Sequence, residues 1–180
     1  MAVLNILIAP HPSLSTKVQA VLTINDEVKR ELQDMVETMY ADSGIGLAAN
    51  QVNILKRMFV MDVGEDNSLT QDNQNPIESK LYYFINPLIE SASTETSVFE
   101  EGCLSAPGHR VKVERPVAIT VRYTDINGSE IIQDFDGLQA RCIQHEIDHL
   151  DGKTMLEYLS KLKKDMVIKR LVKRYTTLQK

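Results

Sequence analysis

The chain has 180 residues, of which 43% are apolar and 25% charged, which is typical of a globular protein with a hydrophobic core. Lysine and arginine number 20 against 25 aspartates and glutamates, so the formal net charge is -5. A basic surface over the whole chain for binding nucleic acid is therefore excluded, so nucleic acid could be bound only locally. We expect residues 1–180 to form a single catalytic or binding domain.

The sequence predicts neither a membrane span nor an export signal. Asn5 and Pro10 interrupt the best apolar run, which falls short of the about 18 residues that a membrane-spanning helix needs. No positive charge precedes Lys17, unlike in a secretory or transit peptide, so a cytoplasmic location is expected. The two cysteines, Cys103 and Cys142, are too few for a disulfide framework and are candidates for ligands or nucleophiles.

The first predicted element is a helix that begins after Asn25, a favoured capping residue, and ends before Gly44. Its apolar residues recur on one face at helical spacing: Val28, Leu32, Met35 and Met39. The small residues and glycines at 44–51 predict a loop whose backbone approaches another group closely. Residues 57–63 then predict a strand, and the polar run at 64–80 predicts a solvated excursion.

Further strands and a helix follow. Residues 81–85 predict a strand that ends at Asn-Pro (86–87), and alternation over 117–135 around Asn-Gly at 127–128 predicts a β-hairpin. A helix resumes near Gly137. This order predicts an α+β fold, with mixed or antiparallel strands packed around a central helix and with helices at the N- and C-terminal ends.

The central helix carries the segment H-E-x-x-H at 145–149. His145 and His149 lie one turn apart, where two imidazoles can hold one metal ion, and Glu146 between them can act as a general base. At about 100° per residue, the two histidines share one face and Glu146 lies on its flank. An apolar back on the opposite side would anchor the helix: Ala140, Ile143, Ile147 and Leu150. The alternative is that the histidines are unrelated and Glu146 is a solvated charge.

The third ligand indicates the kind of site. Met155 stands where a metzincin would have histidine, and Glu157, the only later glutamate, is too close along the chain. Upstream, Cys103 follows Gly102, which we expect to relieve crowding so that the thiolate reaches the metal. Cys142 lies about 7 Å along the helix axis from the level midway between the two imidazoles, too far for its short side chain, and it lines a pocket or is a small buried residue. Three protein ligands leave a fourth position for water, which favours a hydrolase.

Three motifs together resemble the peptide deformylases, which remove the formyl group from N-formylmethionine at the start of new bacterial and organellar proteins. They are GIGLAANQ at 44–51, EGCLS at 101–105 and QHEIDHLDG at 144–152, in the order of that family. The likeness covers most of the chain and includes the helical C-terminus of a bacterial type.

The resemblance implies roles for particular residues. Cys103, His145 and His149 would hold the metal, and Glu146 would pass a proton from water to the leaving amine. It also implies that Gln51, through its side-chain amide, and Leu104, through its backbone N–H, stabilise the tetrahedral oxyanion. The substrate would be the N-formylmethionyl end of a nascent peptide.

Other roles are open to plainer interpretations. The resemblance has Gly46 hydrogen-bonding the substrate backbone, although Gly44 and Gly46 alone would simply form a turn and Gln51 would be a surface amide. Helix geometry and analogy together suggest an apolar pocket for the methionine side chain, and core packing is the alternative for its members: Ile45, Phe99, Leu138 and Cys142. We expect Glu101 to orient a basic partner such as Arg115, and Asp148 to support the metal ligands from outside. The alternative for each carboxylate is a plain position on the surface.

The metal is the point where ligand chemistry and resemblance differ. A tetrahedral Cys-His-His site favours zinc by ligand softness, whereas the family works with Fe2+ and accepts Zn2+ or Ni2+. We follow the resemblance and expect Fe2+.

Residues 161–180 form the last predicted helix and carry eight basic residues and one acidic residue. This local +7 contrasts with -12 for the rest of the chain. The plain interpretation is a solvated surface helix, and the resemblance suggests docking on the ribosome near the exit tunnel. Two other functions remain open: a different metallohydrolase such as a short peptidase, and a structural zinc in a ribosome- or RNA-binding module.

Overall fold

The computed structural model describes residues 2–64 and 80–177. This part contains three helices, α1 (Asp26–Ala41), α2 (Gly137–Leu150) and α3 (Lys161–Thr177). Its strands are β1 (Gly46–Ala48), β2 (Met58–Asp62), β3 (Leu81–Ala92), β4 (Thr96–Gly102), β5 (Arg110–Pro116), β6 (Ala118–Thr124) and β7 (Glu130–Asp136). The excursion predicted at 64–80 lies outside the described residues except at its two ends.

The strands form two antiparallel sheets. Five of them pair in the order β1-β2-β3-β6-β7, and β4 pairs with β5 as a separate two-stranded ribbon. The predicted α+β fold with antiparallel strands, a central helix and terminal helices is confirmed. Within the described residues, no helix has the length and apolar character that crossing a membrane requires.

The five-stranded sheet lies between α1 and α2. On β2, Phe59 and Met61 pack in the core that contains the back of α2, whereas Met58 and Val60 pack in the core that contains α1. This split follows from the alternation of side chains along a strand. The predicted apolar faces of both helices are buried as expected, and the side chain of Asn25 accepts a hydrogen bond from the N–H of Val28 to cap α1.

Two predicted boundaries are wrong. The segment 44–51 is not wholly a loop, because it contains β1 and leads into a 3₁₀ turn at Ala49–Val52. The strand predicted to end at 86–87 continues to Ala92 across a break in register. Asn86 adopts a positive φ of 52° there, and its side chain exchanges two 2.8 Å hydrogen bonds with the backbone of Val21. These bonds compensate for the interrupted ladder and let the strand pass the proline.

The ribbon of β4 and β5 was not predicted from the sequence. Burial alternates along β5, with Val111, Val113 and Arg115 inward and charged residues between them. Because one of the inward residues is an arginine, a search for alternating apolar residues does not detect this strand. The predicted hairpin is confirmed as β6 and β7, with a five-residue connection at 125–129 in which Gly128 has a φ of 87°.

Helix α3 packs against the ribbon. Leu171 is 1% exposed and lies in a core cluster with Val111 and Val113 of β5. Cys103, directly after β4, is packed against the same cluster. The C-terminal helix is therefore part of the core that supports the cysteine.

Candidate metal centre and active site

The two sheets and α2 bring together three side chains with metal-ligand chemistry. His145 and His149 lie one turn apart on α2, with ring centroids 5.0 Å apart. Cys103 approaches from the turn after β4, and its Sγ lies 3.1 Å from Nε2 of His149. One ligand atom of each residue lies within 4.8 Å of the other two. The three residues predicted to share a metal are thus adjacent in the fold.

Cys103 has the electrostatics of a thiolate. Burial by itself raises the pKa of its thiol, but attraction and hydrogen bonding to His149 and His145 outweigh burial and hold the pKa well below its usual range. A deprotonated sulfur is the form that binds metals. The role expected for Gly102 is wrong, since an added Cβ at this position meets nothing within 4 Å. The position of Cys103 is instead fixed by strand pairing that extends to Gly102 and Arg110.

Glu101 orients His145. Its Oε2 lies 2.9 Å from Nδ1 of His145, and Arg115 donates to both of its oxygens at 2.7 and 3.0 Å. Burial would raise the pKa of Glu101, but the hydrogen bonds from His145 and Arg115 dominate and lower it to about 2. The ionised carboxylate accepts from Nδ1, which leaves Nε2 of His145 available as a ligand. The predicted pairing of Glu101 with Arg115 is confirmed, and the surface alternative is wrong.

Asp148 belongs to the same network. Its Oδ2 lies 2.9 Å from Nη1 of Arg115 and accepts a 2.8 Å hydrogen bond from the hydroxyl of Tyr158. The guanidinium of Arg115 also lies 5.3 Å from the centre of the Tyr158 ring. Tyr158 was missed in the sequence, where nothing in its local pattern marks it. Arg141, which also donates to Glu101, was missed because nothing in the sequence indicates that a charged side chain one turn before His145 is buried.

Glu146 lies at the site with an unused oxygen. The side chain is buried, and its Oε2 has no hydrogen-bond partner within residues 2–64 and 80–177. Burial raises its pKa above the usual range, although attraction to His145 and His149 opposes this shift. A buried carboxylate oxygen without a partner is costly, so it indicates a site for a group that the carboxylate binds during function.

Gly46 and Cys142 border this carboxylate. A Cβ added to Gly46 would stand 2.6 Å from Oε1 of Glu146 and 2.7 Å from Sγ of Cys142. The glycine on β1 therefore gives α2 room to bring Glu146 against the strand. Cys142 is 6% exposed, its Sγ lies 3.7 Å from the carbonyl oxygen of Ile45, and burial raises the pKa of its thiol.

Gln51 points its amide nitrogen at the site. Its Oε1 accepts a 2.8 Å hydrogen bond from the N–H of Ala48, which fixes which end of the amide faces the cysteine. Nε2 donates to Oγ of Ser105 at 3.1 Å and lies 3.6 Å from Sγ of Cys103. Gln51 is 2% exposed, so the alternative of a surface amide is wrong.

Leu104 follows Cys103 in the turn, and its side chain packs against the core that contains α1. Over the described ranges, its backbone N–H donates to no backbone carbonyl. The main-chain donor predicted beside the cysteine is therefore available for a ligand.

The predicted pocket residues have different surroundings. Ile45 is 45% exposed next to buried Cys142, and Leu138 is partly buried against the core that also contains Cys142. Phe99 lies on β4 beneath Arg141, whose guanidinium is 5.5 Å from the ring centre. Ile45 and Cys142 are thus adjacent, whereas the observed contact of Phe99 is with the buried charge network.

The site combines a cysteine and two histidines, a buried carboxylate with an unused oxygen, and an amide donor. This set is that of a metal-dependent hydrolase of the H-E-x-x-H type, with a cysteine as third ligand.

Comparison with known proteins gives the family. The family model described as polypeptide deformylase matches residues 3–165. A peptide deformylase of Phenylobacterium zucineum is 43% identical over 96% of this chain and 97% of its own length. One from Rhodopseudomonas palustris is 46% identical over 96% and 95%. A crystal structure of the Ehrlichia chaffeensis peptide deformylase superposes with a TM-score of 0.90 at 40% identity, covering 99% of this chain and 100% of that chain.

The chain belongs to the polypeptide deformylase family. It is a hydrolase that removes the formyl group from the N-terminus of nascent polypeptides.

Proposed function

We propose that Cys103, His145 and His149 hold one divalent metal ion, at which Glu146 serves as the acid and base of deformylation. The observation that carries this proposal is the buried Oε2 of Glu146, which has no partner among the described residues and belongs to a carboxylate that interacts electrostatically with Cys103, His145 and His149. A hydrolytic reaction needs such a group to receive a proton from water and return it to the leaving amine. Glu146 supplies both steps from one oxygen.

The donor set fits a metal ion of borderline softness. One thiolate and two imidazoles within 4.8 Å suit Zn2+, Fe2+ or Ni2+, and three protein ligands leave a position for substrate or water. When bound, the ion lowers the pKa of water and polarises the formyl oxygen. Following the family resemblance, we propose Fe2+ as the native ion, with Zn2+ or Ni2+ able to replace it.

Gln51 and Leu104 are proposed to stabilise the oxyanion that forms when water attacks the formyl carbon. Nε2 of Gln51 is held toward the site, and its 3.6 Å hydrogen bond to Sγ of Cys103 is made to sulfur, a weaker acceptor than oxygen. The hydrogen directed at the sulfur can therefore turn to a negatively charged oxygen. The N–H of Leu104 would be the second donor.

The substrate would bind with its backbone against Gly46 and its methionine side chain against an apolar wall. We propose Ile45, Leu138 and Cys142 for this wall, because Ile45 is adjacent to Cys142 and Leu138 packs in the same core. Phe99 would contribute through its position on β4, although it also supports Arg141.

Formate release from an N-formylmethionyl peptide, with and without a chelator, tests the function. Activity that a chelator removes and added Fe2+ or Ni2+ restores is the expected result. An N-acetylmethionyl peptide is the matched control, because a close oxyanion site has room for a formyl hydrogen and little for a methyl group. Comparable kcat/KM for both peptides would favour a general peptidase, and bound metal without formate release would favour a structural zinc.

We further propose that residues 1–180 act as one domain in the cytoplasm and that α3 docks on ribosomal RNA. The helix keeps Leu171 in the core, and around the rest of its circumference it exposes basic side chains: Lys161, Lys163, Lys169, Arg170, Lys173 and Arg174. Positive charge segregated from an acidic body attracts phosphate backbones without sequence choice.

A further inference from the structure

Arg141 is a buried arginine whose hydrogen bonds cross from α2 to both strands of the ribbon. It lies one helical turn before His145 and is 4% exposed. One guanidinium nitrogen donates to Oε1 of Glu101 at 2.9 Å and to the carbonyl of Val113 at 3.1 Å. The other donates to the carbonyl and the hydroxyl of Ser97, both at 2.9 Å.

These contacts join the two parts of the chain that supply the metal ligands. Ser97 and Glu101 lie on β4, which leads directly into Cys103, while α2 carries both histidines. The distance between the sulfur and the imidazoles therefore depends on how α2 is held against the ribbon. A planar guanidinium with several fixed donors sets such a distance more sharply than an apolar contact does.

Arg141 also determines which oxygen of Glu101 serves His145. Oε1 accepts from Nε of Arg115 and from Arg141, whereas Oε2 accepts from Nη2 of Arg115 and from His145. Because Arg141 and Arg115 together occupy Oε1, the carboxylate presents Oε2 to the imidazole. The two arginines also balance the two carboxylates of the network, Glu101 and Asp148, so the buried group is close to neutral.

We infer that Arg141 is a positioning residue of the metal centre, acting through Glu101 on His145 and through the ribbon on the spacing to Cys103. This inference rests on the proposed metal site. The hydrogen bonds of Arg141 go to Glu101, Val113 and Ser97 and to none of the three ligands, so its effect is on how well the ligands are arranged before the metal arrives.

Cobalt binding measures that arrangement without recourse to turnover. Chelator-treated protein is titrated with Co2+, whose visible spectrum reports the ligand geometry. Arg141→Met is expected to weaken Co2+ binding by about 10- to 100-fold, the usual effect of losing a group that orients a ligand. Ser97→Ala is the matched control, since the Ser97 carbonyl still accepts from Arg141, and it should change the affinity less than about 3-fold.

A double-mutant cycle with Glu101→Gln separates positioning from general loss of packing. If Arg141 acts through the carboxylate, Arg141→Met costs several-fold less Co2+ affinity in the Glu101→Gln background than in the wild type. Equal costs in both backgrounds would overturn the part of the inference that runs through Glu101, and wild-type affinity and spectrum in Arg141→Met would overturn the inference as a whole. If Arg141→Met does not fold, Arg141→Lys takes its place in the same cycle, because one ammonium cannot reach Glu101 and both strands together.

The wild type and Cys103→Ser distinguish a failure of this inference from a failure of the proposed metal site. Wild-type protein that binds no Co2+, or Cys103→Ser that binds it as tightly, would overturn the metal site and the inference together. Wild-type binding that depends on Cys103 but not on Arg141 would overturn the inference alone.

Discussion

Gly46 and Glu146 lie so close that a Cβ at position 46 would stand 2.6 Å from Oε1 of the carboxylate. Something must move if that carbon is added, and on the other side Cys142 is only 2.7 Å away. Both close atoms are side-chain ends, the carboxylate of Glu146 and the thiol of Cys142, so the added carbon displaces the group proposed to carry the proton.

Gly46→Ala is therefore expected to bind metal normally and to lose activity. A displacement of about 1 Å at a catalytic group costs on the order of 10²-fold in rate, and kcat for formate release measures it. Gly102→Ala is the control in the neighbouring motif, because its Cβ meets nothing within 4 Å. Full activity in Gly46→Ala would show that the added Cβ does not displace the Glu146 carboxylate, and it would contradict this prediction.

Glu146→Gln removes the proton-accepting oxygen while keeping the volume of the side chain. We expect one metal ion per chain and a kcat lower by about 10²- to 10⁴-fold, the usual contribution of a general acid or base. Metal content checks the expected stoichiometry, and single-turnover formate release checks the expected loss of rate. Loss of metal as complete as in Cys103→Ala would instead make Glu146 a ligand.

Leu171→Ala tests the packing of α3. This side chain is 1% exposed in the cluster against which Cys103 packs, so its truncation should lower the free energy of unfolding by about 2–5 kcal/mol in urea. Val172→Ala, one residue further and 45% exposed, should change it by less than about 0.5 kcal/mol. Equal stability of the two variants would show that α3 is not part of the core.

The same burial means that truncation after Ser160 is not a clean test of ribosome docking. A chain without α3 loses Leu171 from the core beside Cys103, so a fall in activity or binding would have two causes.

Neutralising exposed charges on α3 leaves the core intact. Replacing Lys163, Lys169 and Arg170 by glutamine should weaken ribosome binding and lower the slope of log affinity against log salt by about one for each phosphate that is no longer neutralised. Deformylation of short peptides should not change.

Matched neutralisation elsewhere controls for net charge. Lys17, Arg30 and Lys112 are exposed and lie outside α3, and their replacement by glutamine changes the total charge equally. A ribosome affinity that falls as far in this control, or that does not depend on salt, contradicts docking through α3.

The identity of the metal predicts a sensitivity to air. A thiolate at Cys103 beside Fe2+ is exposed to peroxide chemistry, so the iron form should lose activity in air while the nickel form keeps it. Activity half-lives and the mass of the peptide containing Cys103 follow the process. Equal half-lives of the two forms would argue against iron as the vulnerable partner.

Local patterns in the sequence determined most of the helices and strands, apart from the β4 and β5 ribbon, and much of the site. The spacing of His145 and His149 depends only on helix geometry, and the N-cap of α1 and the apolar stripes of α1 and α2 are properties of residues close in sequence. The family motifs added Gln51 and Leu104. None of these features needs a contact between distant parts of the chain.

Only the tertiary structure decided which residues distant in sequence contact one another around the site. Arg141 gives no sign of burial in the sequence because arginine is usually exposed, yet it is buried and donates to Glu101, 40 residues away in the chain. The space next to Gly46 is occupied by side chains of α2, about one hundred residues later in the chain. In the ribbon of β4 and β5, one inward position of β5 is an arginine, which interrupts the alternation of apolar residues. A buried charge is stable only with its partners in place, and those partners are set by the fold rather than by the local sequence.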